Sequence, residues 1–293
     1  MVGSGVFEPF ILSPVGARLK RSRKESTMKI YKPADIRNIV VTGHGSSGKT
    51  SLVSACLYAA GVGNRLGRVD DGTTITDFDP EEIERQISIS TGIAFMEWGN
   101  TKINFLDTPG KGIFIQDARN SMRVSDAALI LVDAVAGVEV QTEKVFQFSK
   151  EFNLPICFVI NKLDRENADF ERAVLSLQQH FGRTAVPVQL PIGHEKNLTA
   201  VVDLIELKAS RYEPEGSGKS APIEIPASLH EVVQKGHEVL VEMVAEGNDQ
   251  LMEQFFEEGT IPTQDLMPGF KLAVTERRIF PIYSSSALLN VGT

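Results

Sequence analysis

Gly43-His44-Gly45-Ser46-Ser47-Gly48-Lys49-Thr50 fits the pattern G-x-x-x-x-G-K-[ST], in which a glycine-rich turn lets backbone N–H groups curl round phosphate oxygens. Its surroundings are those the chemistry requires. An apolar run at 38–42 reads as a buried strand before the turn, and 49–60 reads as a helix after it. The helix N-terminus then adds positive potential to the turn. Lys49 supplies a cation to the β- and γ-phosphates, Thr50 offers a hydroxyl to Mg²⁺, and Ser51 follows in the same helical turn. The competing reading is a Gly-rich turn with no ligand. A chain this long meets the bare pattern by chance about 1% of the time, so phosphate binding is preferred.

Working outward, 93–97 and 102–106 read as two strands joined by a Gly99-Asn100 turn. The second ends in Asp107-Thr108-Pro109-Gly110. Asp107 at a strand end can reach Mg²⁺ through a water, and Gly110 can turn its N–H to the γ-phosphate. Alone this tetrapeptide is only a turn. Asn161-Lys162-Leu163-Asp164 follows another apolar strand, 156–160. An ionised Asp164 offers two acceptor oxygens to the adjacent N1–H and N2–H₂ of guanine. Adenine has no N1–H and would leave that carboxylate unpaired. Asn161 can tie the loop to the phosphate loop, and the Lys162 stem can cover the base plane. Ser286-Ala287-Leu288, after a strand at 279–283, is a weaker signal in which the Ala287 N–H can meet the guanine carbonyl.

Strands at 127–132 and 156–160 are continuously apolar, as strands buried on both faces are. Helical segments at 141–152 and 169–181 follow them. The fold class expected is α/β, a P-loop NTPase with a mostly parallel sheet wrapped by helices. From about 183 to 277 the rhythm changes. Strand-like runs at 187–191 and 198–207, a Gly/Ser/Pro-rich loop at 211–226 and an acidic helical region at 227–258 predict an inserted small α/β subdomain. Leu229, Val232, Val233, Val239, Leu240 and Val244 form its apolar spacing, with Glu231, Glu238, Glu242 and Glu246 on an acidic face. The insertion is expected to be a separate unit whose deletion spares nucleotide binding.

Residues 1–37 carry eight Lys/Arg against three Asp/Glu, so with a net charge of −8 the remainder stands at −13. Residues 1–35 read as a disordered basic tail; a transit peptide shares part of this composition, and Met28 is a candidate start. So acidic a body argues against charge-driven, non-specific duplex binding. No apolar run reaches the ~18 residues a membrane span needs. Cys56 and Cys157, both in apolar surroundings, read as buried free thiols of a reducing compartment. A cytoplasmic location is expected.

Asp107-Thr108-Pro109-Gly110, the run 121–129 (SMRVSDAAL), the run 132–143 (VDAVAGVEVQTE) and the run 158–165 (FVINKLDR) resemble elongation factor G. The insertion is similar to that family's extra subdomain through 189–193 and 201–205, which argues against elongation factor Tu and initiation factor 2. The likeness covers about 36–293 and implies GTP/GDP and Mg²⁺ as cofactors. It also implies the ribosome as partner, through the full-length protein, and contact of the insertion with the ribosomal stalk protein. No membrane and no sequence-specific nucleic acid are expected. Three departures stand out. At the first switch the family's Arg-Gly-Ile-Thr is here Arg85-Gln86-Ile87-Ser88, where Ser88 keeps a hydroxyl for Mg²⁺. Ser46 stands where the family has Asp. Lys111 stands where the family has its catalytic His, which makes Lys111 and Gly110 the candidate catalytic positions and predicts slow hydrolysis. Alternatives are a regulatory GTP/GDP-binding module, a tetracycline-resistance ribosomal protection protein and peptide release factor 3; Asn161 and Asp164 argue against an ATP enzyme.

Overall fold

The computed structural model describes residues 29–293. The expected basic tail lies, for residues 1–28, outside the described residues, and Pro33–Asp35 forms a single 3-10 turn. β1 (Ile36–Gly43) runs through the glycine-rich turn into α1 (Lys49–Ala59). A long connection holding the short α2 (Pro80–Arg85) leads to β2 (Gly92–Trp98) and β3 (Thr101–Asp107). These two form an antiparallel hairpin with Gly99 at φ +58 in its turn, a conformation glycine adopts without strain. There follow α3 (Ile115–Met122), β4 (Ala127–Asp133), α4 (Val140–Glu151), β5 (Ile156–Asn161), α5 (Phe170–Phe181) and β6 (Ala185–Pro187). Next come β7 (Gln189–Ile192), β8 (Ala200–Asp203), β9 (Lys208–Tyr212) and β10 (Ser220–Ile223). The chain closes with α6 (His230–Ala245), α7 (Asp249–Glu258), α8 (Thr263–Thr275) and β11 (Phe280–Ser284).

The main sheet has the order β2-β3-β1-β4-β5-β11-β6. Every pair is parallel except β2 with β3. The continuous apolar runs have a direct cause. Val40, Ile130, Phe158 and Ile160 face one layer with Met122, Val145, Phe146 and Leu177 from α3, α4 and α5. Their neighbours Val41, Leu131 and Val159 face the other layer, with Leu52, Val53 and Leu57 from α1. A strand covered on both faces has no polar side to show.

The insertion differs from expectation in several ways. β6 lies in the main sheet, parallel to β11, so residues 185–187 are not part of the inserted sheet. β10 occupies residues read as loop. It is an outer strand of the four-stranded antiparallel sheet β10-β9-β8-β7, and an outer strand tolerates Pro222 because a missing N–H there breaks no ladder. The acidic helical region splits into α6 and α7 at Asn248, whose side chain caps the N–H groups of Gln250 and Leu251. On α6 the buried stripe is Val233, His237, Leu240, Val241 and Val244, whereas Val232 and Val239 are exposed. The core of the insertion is also continuous with the main sheet: Val186, Val188 and Ile279 pack in one cluster with Leu240, Val244 and Leu266. Residues 31–293 form one compact unit rather than a domain with a separate appendage.

Candidate functional site

The C-terminal ends of β1, β3, β5 and β11 open onto one cleft of about 490 Å³. Its wall includes Gly45, Ser46, Gly48, Lys49, Thr50, Ser51 and Ser88, then Gly110, Lys111, Asn161, Lys162, Asp164, Ala287 and Leu288. Gly43, His44, Ser47, Asp107 and Ser286 stand behind that wall. Lining cations are Lys49, Arg68, Lys111, Lys162 and Arg165, against the acids Asp70, Asp77 and Asp164. A cationic surplus concentrated here, in a chain of net charge −8, favours a polyanion in the cleft.

The glycine-rich turn is held open by residues in unusual conformations. Ser46 has φ +65 and Gly48 φ +91, and alternating backbone of this kind makes a concave nest of N–H groups. A Cβ at Gly48 would collide with the Asn161 side-chain amide, and one at Gly110 would lie 2.8 Å from the Gly45 Cα and N. Gly110 therefore lets two backbones touch, and Gly48 makes room for the Asn161 side chain. Lys49 is buried and its Nζ donates to the His44 carbonyl at 2.9 Å and the Gly43 carbonyl at 3.4 Å. Burial pushes its ammonium down to about 8, with Asp107 and Asp77 opposing the shift and Lys162 adding to it. An anion in the cleft would favour its charged form.

Five oxygen-bearing side chains meet below the turn. Thr50 Oγ1 and Ser88 Oγ lie 3.2 Å apart, Ser88 Oγ donates to Asp77 Oδ1 at 3.0 Å, and Thr76 Oγ1 donates to Asp107 Oδ2 at 2.7 Å. Asp107 Oδ1 is buried without a partner. Burial lifts the Asp107 carboxyl to about 6, opposed by the hydrogen bond from Thr76, the nearby Thr50 hydroxyl and Lys49. These residues fit Mg²⁺: adjacent ligands of an octahedral ion at about 2.1 Å are about 3.0 Å apart, close to the Thr50–Ser88 spacing. The orphaned Asp107 oxygen would serve a hydrated cation in the same place. Ser88 is held from behind by the buried Glu82, whose Oε1 accepts from the N–H groups of Ile89 (2.7 Å) and Ser90 (3.0 Å). Gln86 ends α2 with φ +53, a left-handed conformation in which a glycine would be unstrained.

At the other end of the cleft Asn161, 1% exposed, makes two hydrogen bonds. Its Nδ2 donates to the Ser47 carbonyl at 3.0 Å, and its Oδ1 accepts from the Ala287 N–H at 3.0 Å. The Ala287 N–H expected to meet the base carbonyl is thus engaged by Asn161 in this structure, which ties three loops together. Asp164 Oδ1 accepts from Ser286 Oγ. Lys162 donates to the Ser46 carbonyl and pairs with Asp133 Oδ2 at 3.3 Å, and Arg165 reaches the same oxygen at 3.2 Å. Burial raises the Asp133 pKa, but the Val135 N–H and Lys162 outweigh it and hold the carboxyl below its usual range. Lys111 begins the 3-10 turn Gly112–Phe114. A Cβ at Gly45 would lie 3.5 Å from its Cδ, so the Lys111 stem passes over the phosphate loop.

Asp77, Asp133, Arg68, Asp70 and Arg165 were missed as site residues. Asp133 ends an apolar strand as Asp107 does, and that is a signal for it; Asp77 lies eleven residues before Ser88 in a stretch with no periodicity. Arg165 directly follows Asp164. Arg68 and Asp70 sit in a connection with no periodicity and carry no signal.

A family profile described as the elongation factor Tu GTP binding domain matches residues 34–293. Elongation factor G of Gluconobacter oxydans is 36% identical over 258 residues, covering 88% of this chain and 37% of that protein. Elongation factor G of Granulibacter bethesdensis is 37% identical with the same coverage, and elongation factor G 2 of Syntrophus aciditrophicus is 34% identical. A crystal structure from Thermus thermophilus superposes with a TM-score of 0.81 at 32% identity, over 88% of this chain and 38% of that one. The chain spans 37–38% of the length of these relatives.

Proposed function

The chain belongs to the elongation factor Tu GTP-binding domain family, and on that premise we propose that it binds GTP and GDP with Mg²⁺. In this reading it hydrolyses GTP slowly and is the nucleotide-binding part of an elongation factor G-like translation factor working in the cytoplasm on the ribosome. The observation that carries the reading is the shared cleft: Asp164 and the phosphate loop line one cavity, locked in register by the Asn161 brace. Gly43, Gly45, Gly48, Lys49 and Thr50 would hold the phosphates, with Ser46, Ser47 and Ser51 around them. Thr50, Ser88 and Asp107 would hold Mg²⁺, which when bound screens the phosphate oxygens. Asp164 would read guanine, with Lys162 along the base and Leu288 at its edge.

Slow hydrolysis rests on Lys111. A water attacking the γ-phosphate needs a group that accepts its hydrogen bond. A lysine ammonium has three donors and no acceptor. Lys111 therefore favours a bound anion without orienting the water, and Gly110 supplies only a backbone N–H. This feature also supports a second reading, a regulatory module that holds nucleotide and turns over little. The exposed acidic face of α6, with Glu231, Glu238, Glu242 and the adjoining Glu246, is the surface offered to the stalk protein.

Asp164→Asn tests the reading. The new NH₂ faces the guanine donors, so labelled GDP affinity falls steeply and xanthosine diphosphate, with a carbonyl at that position, binds better than GDP. Unchanged GDP binding would rule out the assignment.

A further inference from the structure

The loop joining β9 to β10 reaches out of the inserted sheet and touches the nucleotide face at three places. Glu215 donates its N–H to the Leu289 carbonyl at 2.7 Å. The Gly216 carbonyl accepts from Asn290 Nδ2 at 2.9 Å. Glu215 Oε2 pairs with Arg68, a residue of the cleft wall, at 3.1 Å. Two side-chain-bearing residues at this junction are held in left-handed backbone, Glu215 at φ +57 and Asn290 at φ +55. Such conformations persist where surroundings over-determine them. Asn290 is fully buried, and its Oδ1 accepts from Thr293. Gly218, at φ +72, sits so close to α1 that a Cβ there would lie 2.7 Å from the Ala59 Cβ.

The contact continues inward. Ser286 and Val291 exchange two backbone hydrogen bonds, closing the segment between them into a small ring. Inside that ring Ser286 Oγ accepts from the Leu289 N–H at 3.1 Å and donates to Asp164 Oδ1. The ring has one outer support in the β9–β10 loop and one inner output on the Asp164 carboxylate.

We propose that Asn290 is a positioning residue for base recognition: by clasping the β9–β10 loop of the insertion it sets the Ser286–Asp164 contact, and so the insertion tunes guanine selectivity. The proposal rests on the guanine-nucleotide reading above. It reverses the expectation that the insertion is dispensable for binding. The ordinary alternative is that Asn290 only stabilises the fold, and selectivity separates the two. Inosine diphosphate lacks the 2-amino group that Asp164 would accept from, so the ratio of GDP to inosine diphosphate affinity reports how well that carboxylate is placed.

The experiment measures both affinities and a melting curve for wild type, Asn290→Asp and Gly218→Ala. Asn290→Asp replaces the donor to the Gly216 carbonyl with an oxygen. Gly218→Ala attacks the same junction from the insertion, and it decides the matter if Asn290→Asp does not fold. In both, the GDP preference is expected to fall about five- to tenfold, the scale of one hydrogen bond lost from a buried network. Lys49→Ala lowers both affinities alike and serves as the control. Folded variants with lowered Tm but an unchanged ratio overturn the proposal. A wild type that does not prefer guanine nucleotides overturns the functional reading itself.

Discussion

Replacing Asn161 by alanine is the most searching single change at this site. The side chain is 1% exposed and bridges the Ser47 carbonyl and the Ala287 N–H, each at 3.0 Å. Asn161→Ala leaves both groups buried and unpaired. Each orphan costs about 1–3 kcal/mol, so the brace contributes about 2–6 kcal/mol, and water entering the vacated space puts the outcome near the lower end, about 2–3 kcal/mol. If the whole loss falls on nucleotide affinity, GDP binds about 30- to 150-fold more weakly. If it falls on the free protein, Tm drops by about 4–12 °C for a domain of this size. A fluorescent GDP titration with a melting curve on the same preparation measures both shares. Asn161→Asp separates the two bonds: it keeps the acceptor for Ala287 but turns an oxygen toward the Ser47 carbonyl. An Asn161→Ala protein whose GDP affinity is within about twofold of wild type and whose Tm is unmoved would refute the reasoning.

Lys49→Ala removes a buried charge-assisted donor and is expected to weaken GDP binding about 10- to 150-fold; equal affinities would eliminate the phosphate site. Thr50→Ala is expected to bind GDP less well only when Mg²⁺ is present, and a defect that persists in chelator would show that Thr50 acts otherwise. Lys111→His in the full-length protein with ribosomes is expected to speed single-turnover GTP hydrolysis at least about tenfold, and no gain over a fast wild type would contradict the role given to Lys111. Cys56 and Cys157, expected to be buried, are free thiols that are only partly buried, and desolvation pushes both up to about 12. Both should therefore stay unlabelled by a thiol reagent at about pH 8, near the ordinary thiol pKa, until denaturant is added; labelling of the native protein would show that they are accessible.

The clustering of these motifs in one cleft was legible because their signals are local. The glycine-rich turn sits between an apolar strand and a helix, and Asn161 and Asp164 end another apolar strand, so each motif came with its own context. The missed elements had competing local signals. α8 carries Pro268 in its interior, which removes one helical hydrogen bond and breaks the expected pattern. β10 carries Pro222 among glycines and serines and survives because it is an outer strand. The union of the insertion with the main sheet rests on long-range contacts, such as Val186 and Ile279 against Leu240, that no window of sequence contains. Asn290 was invisible for the same reason: its partner Gly216 is 74 residues away.

The place of β11 has a consequence for how the chain acquires its structure during synthesis. This strand is the last of the seven main-sheet strands in chain order, yet it lies inside the sheet, between β5 and β6. Until residue 284 has left the ribosome, β6 has no neighbour, β5 has a bare edge, and Asn161 lacks the Ala287 N–H it will hold. The earlier strands can pair, but the wall of the cleft stays incomplete. Long-range pairing of this kind is slow and leaves strand edges exposed while it waits. Guanine nucleotide can therefore seal the cleft only after translation of α8 and β11, and a nascent chain halted between α8 and β11 should be readily cut by protease whether or not GDP is present.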